Sequence, residues 1–351
     1  MNILKKSIVT FLIIALLSSV CVFSASSLTI SDNNFDYQIN YTTEEAVIVG
    51  CRTDSPDLVV PSHFSSYKIT GIRSYAFEKC TTMETLTLPL TITSIGNYAF
   101  KDCTSLKYIT IPENVTLLGE GFCSGCTALE KATVNAEGIG SVPKSAFLNC
   151  SALQSVTLNQ NISTIGQSAF SGCTSLNSIV FSDSIETINR VAFYKSGIEA
   201  VEINDKITSI YDYTFAECPN LSSVIIPQTV TFIDPTAFSN DNNLTIFCYY
   251  QSYAHKYAVE NNIPYIATAN FMLGDVDGVD GININDVTAI QSHLAELKTV
   301  EGIYLLAADA NQDDIVDISD ATAIQMKLAE YELPYPIGQY VTKEVVAQEN
   351  N

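Results

Sequence analysis

One aromatic position returns every 23 residues through the middle of the chain. Phe77, Phe100, Phe147, Phe170, Phe193, Phe215 and Phe238 hold it, and Cys123 stands in the row between Phe100 and Phe147. The steps are 23 residues, apart from 22 between Phe193 and Phe215 and 47 across the Cys123 row. Three more columns keep the register. One carries Cys80, Cys103, Cys126, Cys150, Cys173 and Cys218, with Ser196 and Asp241 in its other rows. One runs from Met83 and Leu106 to Leu221 and Leu244, and one from Ile95 and Leu118 to Ile210 and Ile233. A fixed period of this size marks a chain wound into stacked coils. Thr85-Leu86-Thr87-Leu88 and Tyr108-Ile109-Thr110-Ile111 alternate apolar with polar residues, as strands do. One coil cannot bury its own apolar face, so coils stack and each column becomes a core stripe. With 47% hydrophobic and 16% charged residues the chain can fill such a core. The Ala-Phe segments are expected on the turn or short-helix side.

The repeat Ile-Gly-x-x-Ala-Phe-x-x-Cys-x-x-Leu, as in Ile95-Gly96-Asn97-Tyr98-Ala99-Phe100-Lys101-Asp102-Cys103-Thr104-Ser105-Leu106, resembles the Treponema-type leucine-rich repeat of bacterial surface proteins. The resemblance covers residues 59–247 and implies a solenoid of about eight coils. Its departures are local: Phe122-Cys123 in place of Ala-Phe, one extra residue in 135–142, and one fewer around Ser196-Gly197-Ile198. Residues 26–58 read as an N-terminal cap with a hairpin, and 248–268 as a C-terminal cap of a helix and a strand.

Ten cysteines invite a disulfide framework. The repeat argues for reduced, buried thiols instead, because six form one column that accepts Ser196 and Asp241. Bridges between neighbouring rungs remain geometrically possible, since strand spacing and disulfide Cα separations overlap.

Lys5 and Lys6 precede an apolar run from Ile8 to Leu17, with Ser24, Ala25 and Ser26 after it. This is the pattern of a cleaved signal peptide over 1–25. The run is short for a membrane span, and no later stretch is long enough. Residues 334–351 read as a polar tail. Secretion is the expectation, with any surface attachment non-covalent.

The formal charge is −21. Residues 271–333 hold 13 Asp and Glu against 2 Lys, about half of that excess. An acidic chain is a poor nucleic-acid binder. Concentrated acid in loops points to calcium. Two twelve-residue loops, 275–286 and 309–320, align at an offset of 34, and each runs into an amphipathic helix. Calcium takes roughly 6–8 oxygens from alternating loop positions and a terminal carboxylate. The expected ligands of the first loop are Asp275, Asp277, the Gly281 carbonyl, Asn283 and Asp286. Those of the second are Asp309, Asn311, Asp313, the Ile315 carbonyl, Asp317 and Asp320. Val279 leaves a gap at the fifth position of the first loop, so the second is expected to bind more tightly. The sixth position, usually Gly, is Asp280 or Asp314.

Both loops end in Asp, each is followed by one helix, and no leading helix is evident. Gly274-Asp275-Val276-Asp277-Gly278 and the paired Asp-x-Thr-Ala-Ile-Gln stretches make 271–333 resemble the type I dockerin of cellulosomes. The resemblance implies a small all-α module that uses calcium to bind a cohesin on a scaffoldin. It places partner-binding positions at Ile284, Asn285, Gln291 and Ser292, and at Ile318, Ser319, Gln325 and Met326. Ile284 and Ile318 read equally well as core residues. The fold class is α+β: a leucine-rich-repeat solenoid followed by two EF-hand-like loop-helix units.

No catalytic constellation is legible. His63, His255 and His293 are the histidines, and no His-Glu-x-x-His, Gly-x-Ser-x-Gly or phosphate-binding loop occurs. The leading expectation is a non-catalytic secreted interaction protein, held at the surface through a scaffoldin, whose repeats bind a protein or glycan. Alternatives are a polysaccharide-degrading component that itself handles carbohydrate, and a host-directed adhesin.

Overall fold

The structure, a computed structural model, describes residues 29–346. The signal-peptide expectation falls on residues outside that range. The repeats wind into a β-solenoid with two strand faces. On one face Asp57–Val59, Thr85–Thr87, Tyr108–Ile111, Lys131–Val134 and Ser155–Leu158 form a parallel ladder. After an unpaired rung near Val180 the face resumes at Ala200–Glu202, Ser223–Ile225, Thr245–Tyr249 and Tyr265–Met272. Short strands such as Ser94–Ile95, Leu117–Leu118 and Thr164–Ile165 build the other face. The ladder has about ten turns rather than eight. The difference comes from Asp57–Val59 and Tyr265–Met272, which lack the Phe and Cys columns yet pair in register with the rungs beside them.

The repeated residues take the places their chemistry requires. Phe147, Phe170, Phe193, Phe215 and Phe238 stack with ring centroids 5.3–5.6 Å apart. In the row where Cys123 interrupts the column, its neighbour Phe122 supplies the buried ring, 5.2 Å from Phe147 and edge-on. The Ala-Phe corners are turns, and they too are hydrogen-bonded rung to rung: Phe147 N–H donates to the Ala169 carbonyl and Phe170 N–H to Ala192, both at 2.8 Å. A solenoid thereby satisfies its buried backbone at corners as well as strands. Gly96 and Gly119 allow this closeness, since a Cβ at either would sit 2.3 Å from a backbone nitrogen of the preceding coil.

The corners from Phe77 to Phe215 each hold two residues in the left-handed region, for example Tyr98 and Asp102, or Ser145 and Asn149. Val191, at φ +61°, is the β-branched member of this set. That conformation costs an L-residue roughly 1–2 kcal/mol, which Asn relieves in part. Val191→Asn is expected to stabilise the solenoid by about 0.5–1 kcal/mol, read as a higher urea midpoint.

The cysteine column is explained by one recurring bond. Cys103, Cys126, Cys173 and Cys218 donate through Sγ to the carbonyls of Phe77, Phe100, Phe147 and Phe193, at 3.0–3.1 Å. Asp241 ends the column. Its Oδ1 accepts from Cys218 N–H at 2.7 Å, while its buried Oδ2 has no partner among the described residues. Burial pushes its carboxyl from 3.8 up to about 7. The folded state therefore holds a proton that the unfolded chain releases, and stability falls as pH rises from about 4 to about 7. Asp241→Asn should flatten that slope in melting curves and melt higher than the parent at pH 8.

The caps close both ends of the solenoid. Phe35–Asn40 and Glu45–Cys51 form an antiparallel pair that continues into Tyr67–Ile72. Helix α1, Tyr253–Glu260, is capped at its N-terminus by the Ser252 side chain and buries Ala254, Tyr257 and Ala258. Beyond it, Tyr265–Met272 leads into helices α2 (Ile284–Leu294), α3 (Ile303–Ala308) and α4 (Ile318–Leu328). These share a second core built on Val287, Ile290, Ala321, Ile324, Phe271 and Ile337. Two features depart from expectation. The apolar run Ile303-Tyr304-Leu305-Leu306-Ala307-Ala308 forms a helix leading into the second loop. The segment read as a tail holds a strand, Tyr340–Val346, antiparallel to Tyr265–Met272. Among the described residues no helix is long and apolar enough to cross a membrane.

Candidate metal centre

Both acidic loops are built on the same hydrogen-bond skeleton. Asn283 and Asp317 cap α2 and α4 through their side chains, and each forms a reciprocal capping box with the acid three residues later. Those acids, Asp286 and Asp320, are fully buried. Asp286 Oδ1 accepts from Val276 N–H (2.7 Å) and Asp277 N–H (3.0 Å), and Oδ2 from Asn283 N–H (2.7 Å). Asp320 accepts from Asn311 N–H (3.1 Å) and Asp317 N–H (2.8 Å). The twelfth residue thus ties the start of its loop to the ninth position. Burial raises both carboxyls above the ordinary range, and the N–H bonds oppose that rise.

The first residue of each loop folds the turn. Asp275 accepts from Gly278 N–H at 2.9 Å, and Asp309 from Asp313 N–H (3.0 Å) and Asp314 N–H (3.2 Å). The sixth residues, Asp280 and Asp314, lie at φ +59° and +67°. Asp enters this region more easily than most residues, so the bend survives without Gly.

Of the ligands expected in the first loop, the carboxylates of Asp275, Asp277 and Asp286 come together, with ligand atoms within 4.8 Å of one another. An all-oxygen set of three carboxylates suits a hard cation such as calcium. Asn283 is arranged differently: its Oδ1 accepts from Asn285 N–H, and its amide nitrogen donates to the Val279 and Gly281 carbonyls. In the second loop Asp309 is buried, while Asp313 and Ile315 stand exposed. The Asn311 amide donates to Asp313 Oδ2 and Ser319 Oγ, and Asp317 Oδ1 accepts from Ser319 N–H.

Two residues near the loops were missed in the sequence. Lys343, on the strand Tyr340–Val346, places Nζ 2.7 Å from Asp314 Oδ1 and 3.6 Å from Asp309 Oδ2. The alternating run Tyr340-Val341-Thr342-Lys343-Glu344-Val345 carried a strand signal that its place at the chain end obscured. Tyr304 of α3 lies over the first loop, where a Cβ at Gly278 would meet its ring at 2.5 Å.

The positions expected to meet a partner lie on the outer surface of α2 and α4. Ile284 and Ile318 are 60% and 59% exposed, so they are not core residues. Asn285, Gln291, Ser319, Gln325 and Met326 are exposed as well, and Ser292 is half-buried. On the solenoid, Tyr75 stacks on Tyr98 with centroids 5.3 Å apart. Tyr75 escaped notice although it stands two residues before its Phe, as Tyr98 and Tyr213 do.

Comparison with known proteins concerns the solenoid. A family model described as "BspA type Leucine rich repeat region" matches in six copies, over residues 70–195 and 140–263. Among solved structures, the chain is similar to a leucine-rich cell surface protein from Faecalibacterium prausnitzii at 23% identity, covering 64% of this chain and 77% of that one, with a TM-score of 0.44. A leucine-rich repeat protein from Bacteroides ovatus matches at 20% identity, with 62% and 70% coverage and a TM-score of 0.43. The leucine-rich repeat protein of T. pallidum matches at 21% identity, with 59% and 86% coverage and a TM-score of 0.39. No curated protein matches.

Proposed function

The chain belongs to the BspA-type leucine-rich repeat family, and from that premise we propose that it is a secreted, non-catalytic interaction protein whose C-terminal module is a calcium-dependent dockerin. In this reading the solenoid presents a surface to a protein or glycan, and residues 271–333 attach it to a cohesin on a scaffoldin. The observation that carries the reading is the duplicated loop skeleton, with a buried twelfth Asp in each copy and three carboxylates converging in the first. Asp275, Asp277 and Asp286 would hold one ion; Asp309, Asp313 and Asp320 would contribute to the second. Calcium supplies the positive charge that lets these carboxylates stay ionised side by side. The exposed positions on α2 and α4, Ile284 with Gln291 and Ile318 with Gln325, form two similar faces for the partner.

Capture on immobilised cohesins, with and without a chelator, tests the proposal. Binding that needs calcium and is lost on replacing Ile284 and Ile318 together by Asp supports it. No calcium-dependent capture by any cohesin of a broad panel refutes it.

The second loop has the fuller set of side-chain oxygens, but Lys343 already places a cation beside Asp309 and Asp314. An incoming ion must compete with that ammonium. Lys343→Ala is expected to tighten calcium binding at the second loop about two- to fivefold, the scale of a partly exposed ion pair. Calorimetry on an Asp275→Ala background, with the first loop weakened, reads it directly.

A second reading has one specific observation in its favour. The stacked, partly exposed Tyr75 and Tyr98 offer an aromatic platform of the kind that sugar rings pack against. Loss of a glycan-array signal on Tyr75→Ala would move the solenoid's ligand into the carbohydrate class.

A further inference from the structure

The corner ladder is unfinished at its C-terminal end. In every corner from Phe77 to Phe215, the N–H at the Phe-column position and the N–H two residues later donate to two carbonyls of the next coil, at 2.8–3.1 Å. Phe215 donates to Ala237 and Glu217 to Ser239, the residues on either side of Phe238. The corner at Phe238 offers the same two donors, Phe238 N–H and Asn240 N–H, and among the described residues neither meets an acceptor. One period further on, the chain has reached Asn261, where helix α1 ends. A helix uses most of its carbonyls for its own N–H groups. Helix α1 therefore covers the Phe238 ring with Tyr257, at 6.1 Å, without supplying the next rung of hydrogen bonds. A cavity of about 340 Å³ lies at this place, with residues 238–242 in its wall together with Tyr257, Asn261 and Asn262.

We propose that this cavity binds a peptide of a partner protein, whose main-chain carbonyls at two alternate residues accept from Phe238 N–H and Asn240 N–H and add one more rung to the corner ladder. Main-chain pairing is how an open sheet edge takes up an extended peptide, and here it acts at a corner. The interior corners specify the ligand. Their two acceptors flank a single residue, and in all but the Cys123 row that residue is the Phe of the ring column. Beyond Phe238 the next ring is Tyr257, so the ligand residue between the two carbonyls must be small, Gly or Ala. An anionic ligand is disfavoured by the Asp241 carboxyl in the wall and by the net charge of −21. The site rests on the reading that the repeats bind a partner. The calcium loops play no part in it, so its test needs neither calcium nor a cohesin.

The test follows backbone amides of the deuterated, 15N-labelled full chain by NMR, alone and with millimolar N-acetyl-Ala-Gly-Ala-amide. In the free chain the Phe238 and Asn240 amides should exchange with solvent about tenfold or more faster than those of Phe215 and Glu217. The peptide should shift the Phe238 and Asn240 resonances saturably and slow their exchange about tenfold. N-acetyl-Ala-Phe-Ala-amide at the same concentration should do neither. Asn242→Trp, which places a ring at the exposed rim of the cavity, should abolish the response to the Gly peptide. Protection of Phe238 and Asn240 in the free chain equal to that of Phe215 and Glu217 overturns the proposal. So does an absent response to the Gly peptide, an equal response to both peptides, or an equal response to maltotriose, which would make this a sugar site. The two peptides on the parent chain decide the matter even where the variant does not fold.

Discussion

Replacing Phe170 by Ala will lower the unfolding free energy of the solenoid by about 3–5 kcal/mol. Phe170 is wholly buried and lies between Phe147 and Phe193, 5.5 and 5.3 Å away, with rings within 12° of parallel. Ala in its place removes contacts on both sides at once, and a coil cannot collapse without dragging the backbone ladder that joins its corners. A stacked array is stable through its neighbour interfaces, so a gap in the middle weakens two of them. The same change at Phe238 opens a gap beside one ring of the column, with Tyr257 of α1 on the other side at 6.1 Å. Its cost should be smaller. Urea unfolding of both variants checks this, and equal losses would mean that the ring column is not the cooperative element.

Asp286→Ala is expected to have the second large effect, confined to the C-terminal module. Three backbone N–H groups, of Val276, Asp277 and Asn283, lose their acceptor together. Leaving such groups unpaired in a buried place costs about 1–3 kcal/mol each before water enters to relieve it. Hydrogen exchange should quicken at those three amides while the solenoid's amides are unchanged. In Asp286→Asn the amide oxygen can replace Oδ1, but its NH2 then faces the Asn283 N–H, donor against donor. That variant should recover protection at Val276 and Asp277 and leave Asn283 exchanging fast. The proposed calcium response of the first loop should vanish in both. Asp320→Ala, which frees two N–H groups, should disturb its loop less.

The solenoid was legible because its constraint is periodic. Any residue that departs from the Phe or Cys column is visible against its neighbours, and the structure puts those columns inside. The exact length was harder to read, since Asp57–Val59 and Tyr265–Met272 extend the ladder through backbone pairing, which leaves no mark in a side-chain column. Phe122 is a related case: its ring reaches the column although its position is off by one, because a turn can re-aim a side chain where a strand cannot. In the loops, the spacing of acids identified which carboxylates share a turn. It gave no hint that the Asn283 and Asn311 amides would be spent on hydrogen bonds, or that Lys343 would reach Asp309 and Asp314 from another element. Contacts between residues distant in sequence carry no local pattern, and Lys343 is such a contact.

The strand Tyr340–Val346 lies along Tyr265–Met272 through seven residue pairs, so the chain leaves the solenoid, builds the three helices and returns to the same sheet. Both ends of the helical module are therefore fastened, and its link to the solenoid is a girder rather than a tether. A pull that separated the helical module from the solenoid would load those strands lengthwise, and hydrogen bonds across the pair would resist as a group rather than peel one at a time. The direction of the helical module relative to the repeats is thereby set by the sheet they share, with little freedom to swing.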